Sequence, residues 1–199
     1  MTLSKDDAVA AFLSTFPPSP DNVPVDPGLI DAFRDRLPTV ILELWQQGGF
    51  GLYGDGEIQV IDPRDYEQNL WGWLMREDDD PSRTPIALSA FGVMFYHRRL
   101  DEEVEDIAYL DPHTSEGDVL AYSPIEFIGR TIVDAESREI LLQKPLFEAG
   151  REKRGPLVRG TVFGFVPALR LGGKQSVSRT EALDARVHLD LLLQLALDD

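Results

Sequence analysis

The sequence predicts an α/β protein of the α+β kind, with helices packed on an antiparallel sheet and a smaller C-terminal α/β subdomain. Three observations support this prediction. Helix start signals are concentrated in the first 75 residues. Short apolar segments bounded by Gly, Asp and Pro follow between residues 84 and 122, as in an antiparallel meander. A leucine-rich segment near the C-terminal end has the pattern of an amphipathic helix, which needs a packing surface.

The helix signals of the first part are local and come in a clear order. Ser4 precedes acidic residues and an apolar periodic run, so it is expected to cap the first helix. Asp-Pro pairs at 26–27 and 62–63 have the pattern of an N-cap followed by proline in the first helical position. The glycines at 48–49 are expected to end a helix that begins after Pro38. Residues 16–28 contain five prolines and are expected to form an ordered connector.

The stretch GFGLYG, residues 49–54, matches the glycine spacing of a dinucleotide-binding loop. That loop requires a strand before it and a helix after it, so that the helix N-terminus meets the phosphates. Here the predicted helix comes first and the predicted strand second. The glycines are therefore assigned to a helix end and to a hairpin, with residues 50–53 and 57–61 flanking the turn at 54–56.

The C-terminal part is expected to alternate between helices and a strand. Helices are predicted over 125–133 and 137–147, a strand over 161–167, and a final helix that begins directly after Thr180. The chain is divided into a first domain over residues 1–115 and a smaller second domain over residues 120–199.

The formal net charge of −16 is unevenly distributed along the chain. Residues 1–127 contain 25 acidic and 8 basic residues, whereas residues 128–199 contain 10 and 11. Such a field repels nucleic acid and anionic membranes and favours a basic partner. The absence of cysteine and of a signal peptide or long apolar segment predicts a cytoplasmic chain. The chain is also expected to be monomeric when free. The alternative is that the acidity serves solubility alone.

Two acidic runs are the candidates for a partner-binding surface. The first is residues 78–80 and the second is residues 101–106. The second run has no central glycine and continues directly into a strand, which argues against a calcium-binding loop. The alternative is that both runs are solvated loops. The candidate partner-binding residues are Asp78, Asp79, Asp80, Asp101, Glu102, Glu103, Glu105 and Asp106.

No catalytic, cofactor-binding or metal-binding residues are predicted. The three histidines, His97, His113 and His188, have no metal-ligand spacing, and no serine has the pattern of a nucleophile elbow. His188 lies on an amphipathic segment and is expected at the surface or its boundary. The tryptophans at 45, 71 and 73, together with Phe50 and Tyr53, are expected to pack in the core. The basic stretch at 151–159 is expected to pair with the acidic part of the chain.

Residues 37–74 carry a Leu-Pro pair, a tryptophan, the motif GLYGDG and a helix beginning with proline, and they resemble the GAD-like domain. Residues 84–98 are similar to the hairpin that follows in that family. The segment GPLVRGTVFGFVPALRLGG, residues 155–173, is similar to the small domain of unknown function that follows GAD-like domains, with Phe163 where the pattern has tyrosine.

Proteins with this two-domain layout resemble the immunity proteins of type VI secretion systems. The resemblance implies a non-enzymatic protein that binds a cognate basic DNase toxin one-to-one and neutralises it, blocking its DNA-binding or active-site surface. The alternative is an adaptor that loads a secreted toxin without inhibiting it. The family motif residues are mostly structural, so the resemblance implies no binding residue at a given position.

Overall fold

The computed structural model describes residues 3–76 and 79–198. The chain begins with three helices, and their start signals act as expected: Ser4 and Asp26 accept hydrogen bonds from the backbone N–H groups of Asp7 and Gly28. The proline-rich connector between the first two helices pairs with the next strand through isolated bridges at Pro18 and Val23. The three helices are α1 (Lys5–Thr15), α2 (Pro27–Ala32) and α3 (Thr39–Gly48).

A six-stranded antiparallel sheet follows, and its strands lie in the order in which they occur in the sequence. The predicted hairpin is confirmed: the first two strands pair around a turn at Gly54–Gly56, in which Asp55 has a φ of 61°. The six strands are β1 (Gly51–Tyr53), β2 (Ile58–Val60), β3 (Arg83–Ser89), β4 (Met94–Arg99), β5 (Glu105–Asp111) and β6 (Glu116–Ala121). Helix α4 (Pro63–Trp73) connects β2 to β3, and Asp62 caps it.

The GFGLYG glycines have the roles that the order of elements predicts. Gly49 ends α3 with a φ of 73°, a conformation that glycine adopts without strain. Gly51 begins β1, and Gly54 opens the turn of the hairpin. The helix therefore precedes the strand here, opposite to the arrangement that holds a dinucleotide.

The C-terminal part differs from its prediction at two places. Residues 137–147 do not form one helix: the chain turns at Gln143, which has a φ of 51°, between α6 (Ala135–Ile140) and α7 (Lys144–Arg154). Thr180 does not cap a helix but begins strand β8 (Thr180–Asp184), which pairs with β7 (Thr161–Phe165). The final helix, α8 (Ala185–Leu197), is capped instead by Asp184, whose side chain accepts a hydrogen bond from Val187 N. Before these elements, α5 (Pro124–Glu126) continues as a π-helix over Phe127–Thr131.

The sheet has a core on each of its two faces. Successive residues of a strand point to opposite faces, so neighbouring residues belong to different cores. In β4, Phe95 belongs to the core formed with α1, α3 and residues 127–142. Its neighbours Met94 and Tyr96 belong to the core formed with α4 and α8. A third core joins the β3–β4 turn to α7 and β7. The fold-class prediction is confirmed, with helices on an antiparallel sheet and a separate two-stranded β7–β8 sheet.

The five aromatic residues expected in the core are all buried, which confirms their packing role. Trp45 and Tyr53 are fully buried in the first core, together with Phe50. Trp71 and Trp73 lie in the core beneath α8. All three cores combine residues from before and after positions 115–120, and the division into two domains stays a prediction.

Candidate partner-binding surface

The first three residues of the second acidic run, Asp101, Glu102 and Glu103, lie in the connection between β4 and β5, and this loop is held by its own hydrogen bonds. Leu100 N donates to Val104 O over 2.8 Å, which closes the loop. The Asp101 carboxylate accepts hydrogen bonds from Glu103 N and Val104 N, each at 2.7 Å. Asp101 therefore has a structural role in addition to its charge, since it fixes the backbone that carries the neighbouring carboxylates.

The tip of this loop exposes acidic and apolar side chains side by side. Glu102 and Glu103 are exposed. Leu100 and Val104 are 48% and 47% exposed, and they lie directly on either side of the carboxylates at 101–103. The apolar pair was not selected from the sequence. In the sequence, the two residues could have been noticed because Leu100 directly precedes and Val104 directly follows three consecutive carboxylates.

Glu105 begins β5 and contacts a buried histidine. The Glu105 carboxylate and His97 Nε2 are 2.9 Å apart, and the His97 side chain is only 1% exposed. Burial lowers the pKa of His97 and outweighs the opposing effect of this hydrogen bond. Glu105 itself remains 37% exposed, so part of its carboxylate stays at the surface.

The prediction that Asp106 belongs to the partner-facing surface is wrong. Asp106 is 1% exposed and accepts two hydrogen bonds from the Arg98 guanidinium, at 2.6 and 2.7 Å. The two residues are direct cross-strand partners in the register of β4 and β5. The hydrogen bonds to Asp106 raise the pKa of Arg98. Asp106 is therefore part of a structural ion pair and is not accessible to a partner.

The first acidic run is described in part, because Asp78 lies outside the described residues. Asp79 is exposed, and its carboxylate accepts a 3.4 Å hydrogen bond from Gln68 Nε2. Asp80 is largely engaged within its own loop: it accepts hydrogen bonds from Ser82 N and Oγ and pairs with Arg76 Nε at 3.2 Å. Asp79 is thus the more accessible of the two.

The fold brings both acidic runs to the same end of the sheet. Arg83 at the start of β3 pairs with Arg98 near the end of β4, and Arg99 N donates to Ser82 O over 2.9 Å. An open groove runs along this end between the acidic loop and the segment before α3, where Arg34 and Asp35 lie. We call this the acidic end. Its accessible candidate carboxylates are Asp79, Asp101, Glu102, Glu103 and Glu105.

A second concave region, of about 700 Å³, lies between the proline-rich connector and α7. Three ion pairs join charged side chains of this region, and one of them is Lys144 with Glu148. Arg138 binds Glu57, and Arg151 binds Asp55 at 2.9 Å. The prediction for the basic stretch at 151–159 therefore holds for Arg151, whereas Arg154 pairs with Glu181 in the C-terminal part of the chain. Most of the charges here are paired within the molecule, whereas Glu102 and Glu103 at the acidic end are exposed.

The three histidines lie apart from the acidic end or beneath it, and their surroundings do not assemble a metal site. Within residues 3–76 and 79–198, no group of three or more His, Cys, Asp or Glu side chains could hold a metal ion. The expectation that His188 lies at the surface or its boundary is wrong, since it is buried, with 4% exposure. Helix α8 turns His188 inward because Leu189 and Leu192 define its buried face. In the same described part of the chain, no helix is long and apolar enough to cross a membrane.

Comparison with known proteins identifies both parts of the chain. The model of the GAD-like domain matches residues 7–107, and the model described as "T6SS immunity protein Tdi1, C-terminal" matches residues 126–196. No curated protein matches the sequence. The crystal structure of Atu4351 from Agrobacterium tumefaciens has the same fold, with a TM-score of 0.74 and 18% identity over 92% of this chain and 87% of that chain. The chain therefore belongs to the GAD-like domain family, and its residues 126–196 match the C-terminal region of the T6SS immunity protein Tdi1.

Proposed function

We propose that this chain is a type VI secretion immunity protein that binds a basic DNase toxin one-to-one in the cytoplasm and blocks its DNA-binding surface. The observation that carries the proposal is the match of residues 126–196 to the immunity protein Tdi1. The net charge of −16 supports the choice of a nucleic-acid-cleaving target, because a DNase needs a cationic groove to hold phosphates. Neither matching family is described as enzymatic, and we expect no catalytic turnover from the purified chain.

The acidic end has the physical properties that such an interface requires. Asp101, Glu102 and Glu103 stand on a hydrogen-bonded hairpin loop, so little backbone freedom is lost when a partner orders this loop. Exposed ion pairs contribute only about 0–1 kcal/mol each, so charge alone does not hold a partner tightly. Leu100 and Val104 supply exposed apolar area within the same loop, where a partner could bury it. We infer that the carboxylates guide association and that the apolar pair contributes to retention.

The proposed function is tested by co-expression. The toxin is captured from the native lysate on this chain and identified by mass spectrometry, and its nuclease domain is then produced inside bacterial cells with and without the chain. An immunity protein restores growth and protects chromosomal DNA. An adaptor that only loads the toxin for secretion binds it without rescuing the cells, and this outcome would contradict the proposal.

Reversal of the charges at the loop tip is expected to slow association. The double variant Glu102→Lys/Glu103→Lys should bind the toxin domain about tenfold more slowly at low salt, because steering by complementary charge accelerates encounter by 10-fold or more. Raising the salt concentration should slow the wild type and affect this variant less. Association rates from stopped-flow fluorescence at two salt concentrations provide the measurement.

The matched control for this experiment is Glu139→Lys/Glu152→Lys. These two exposed residues lie near the C-terminal ends of α6 and α7, where a lysine suits the helix dipole, and the net charge changes by the same amount. Equal slowing by the two double variants would mean that only the overall charge matters. Unchanged association in the loop variant would remove the acidic end from the interface.

A further inference from the structure

Two of the three histidines face each other where the C-terminal helix meets the sheet. His113 lies in the turn between β5 and β6, and His188 lies on the buried face of α8. Their ring centroids are 5.7 Å apart, and the residues are 5% and 4% exposed. The ring of Phe165, from β7, lies 5.1 Å from that of His113. The pair therefore joins the turn of the large sheet to the last helix in an apolar environment.

The hydrogen bonding of this histidine pair suits two neutral imidazoles and no additional proton. His113 Nε2 lies 3.0 Å from Phe91 O, so this nitrogen donates its hydrogen and Nδ1 carries the lone pair. His113 Nδ1 and both nitrogens of His188 are buried without a hydrogen-bond partner. The backbone of β7 closes over His188, since a Cβ placed on Gly164 would lie 2.6 Å from His188 Nε2.

The charged groups around the histidine pair are engaged elsewhere. Glu181, which faces Gly164 across β7 and β8, pairs with Arg154 at 2.9 Å. On α8, Asp190 accepts a hydrogen bond from Asn69, and Asp184 caps the helix.

Two further charges lie in or beside the β5–β6 turn. The Asp111 carboxylate accepts a hydrogen bond from the backbone N–H of His113. Arg170 contacts Ser115 in the same turn. Asp111 favours a proton on His113, whereas His188 experiences only the repulsion of His113. A proton on either ring therefore makes a second proton less favourable.

We propose that the histidine pair is an acid-sensitive contact, and that its protonation releases α8 with the β7–β8 sheet from the end of the large sheet. Both nitrogens of His188 are buried without a hydrogen-bond partner, so a charged His188 imidazole requires water, which opening of the contact supplies. Strands β3–β5 carry neither ring and keep their own pairing, so they stay folded when the contact opens.

The direction of the pH dependence follows from linkage. Burial lowers the pKa of His188 from 6.5 to about 4, and it lowers that of His113 as well. The contact is fully stabilising above pH 6.5. As the pH falls from 6.5 towards 4, the open state takes up protons that the closed state does not, and stability is lost. The overall charge acts in the opposite direction, because acidification towards the pI of 4.5 reduces the self-repulsion of this acidic chain.

The test uses amide and indole hydrogen exchange of the intact chain, measured by NMR at pH 7.5 and pH 5 and corrected for intrinsic exchange rates. Trp73 Nε1 donates to Leu189 O on α8, so its indole signal reports release of the helix, while Trp71 Nε1 donates to Arg83 O and reports the sheet. The opening constant at Trp73 and along α8 should rise roughly 30-fold on acidification, for one proton taken up. That at Trp71 should not rise.

Variants separate the histidine pair from other titrating groups. His188→Phe should reduce the rise strongly, and His113→Gln, which keeps a donor for Phe91 O, should reduce it as well. The control His97→Gln changes the remaining histidine, beneath the acidic end, and should leave the rise intact. An opening constant that is the same at both pH values in the wild type, or that rises equally in His188→Phe, would refute the proposal. If His188→Phe does not fold, His113→Gln and the pH titration of the imidazole resonances decide instead. A His188 that stays neutral when α8 is released would also refute the proposal.

Discussion

Replacing Arg138 by alanine is expected to lower the free energy of unfolding by about 3–5 kcal/mol, because it leaves a buried carboxylate without a partner. Glu57 is 2% exposed, and Arg138 binds both of its oxygens, at 2.9 and 2.5 Å. The same guanidinium lies over the ring of Phe16, 4.9 Å from its centroid. The pair connects the turn of the β1–β2 hairpin to α6, residues that are far apart in the sequence. Urea unfolding followed by circular dichroism provides the measurement.

The chain offers a matched control for this variant. Arg151 also extends from a helix to the same hairpin turn, where it pairs with Asp55, but both side chains are substantially exposed. Arg151→Ala should cost about 0–1 kcal/mol, since an exposed ion pair contributes little. Similar losses in the two variants would show that burial of Glu57 does not set the energy of the Arg138 pair.

Replacing Phe91 by alanine is expected to lower the free energy of unfolding by about 3–5 kcal/mol. Phe91 lies in the β3–β4 turn and is fully buried. Its ring stacks on Phe165 at a centroid distance of 5.6 Å and lies 6.0 Å from Phe163, so it fills the core between the turn and β7. The alanine variant leaves a cavity at this contact and should lower the melting temperature by roughly 10 °C or more.

Phe91→Leu is the control, because it keeps most of the apolar volume, and we expect a loss near 1 kcal/mol. Differential scanning calorimetry of both variants provides the measurement. A loss below 1 kcal/mol in Phe91→Ala would mean that the neighbouring side chains collapse into the space. In that case the β7–β8 sheet would depend less on this core than its packing indicates.

Local signals in the sequence were sufficient to predict the helices and the hairpin in the first part of the chain. Asp26 and Asp62 cap helices because a short carboxylate followed by proline satisfies a free N–H group within the same few residues. The glycines at 54 and 56 form the hairpin turn because positive φ angles at those positions are cheap only for glycine. Burial of Trp45 and Tyr53 follows from their large apolar area.

Only the tertiary structure decided the elements that depend on distant partners. Thr180 is followed by leucines with a helical spacing, yet residues 180–184 pair with β7, and the helix begins one turn later. A strand of this length is stable only with its partner, which lies about 20 residues earlier in the chain. His188 is buried for a comparable reason, because the orientation of α8 is set by α4 and the sheet beneath it.

In the second acidic run, some properties follow from the sequence alone and others only from the tertiary structure. The number and spacing of its carboxylates, and hence the local negative charge, are properties of the sequence alone. Which of them face a partner depends on the register of β4 and β5, which places Asp106 opposite Arg98 and Glu105 within reach of His97. The sequence alone therefore gives the number of carboxylates in the run. The cross-strand neighbours determine which are neutralised inside the protein, because a buried carboxylate needs a partner and an exposed one has water.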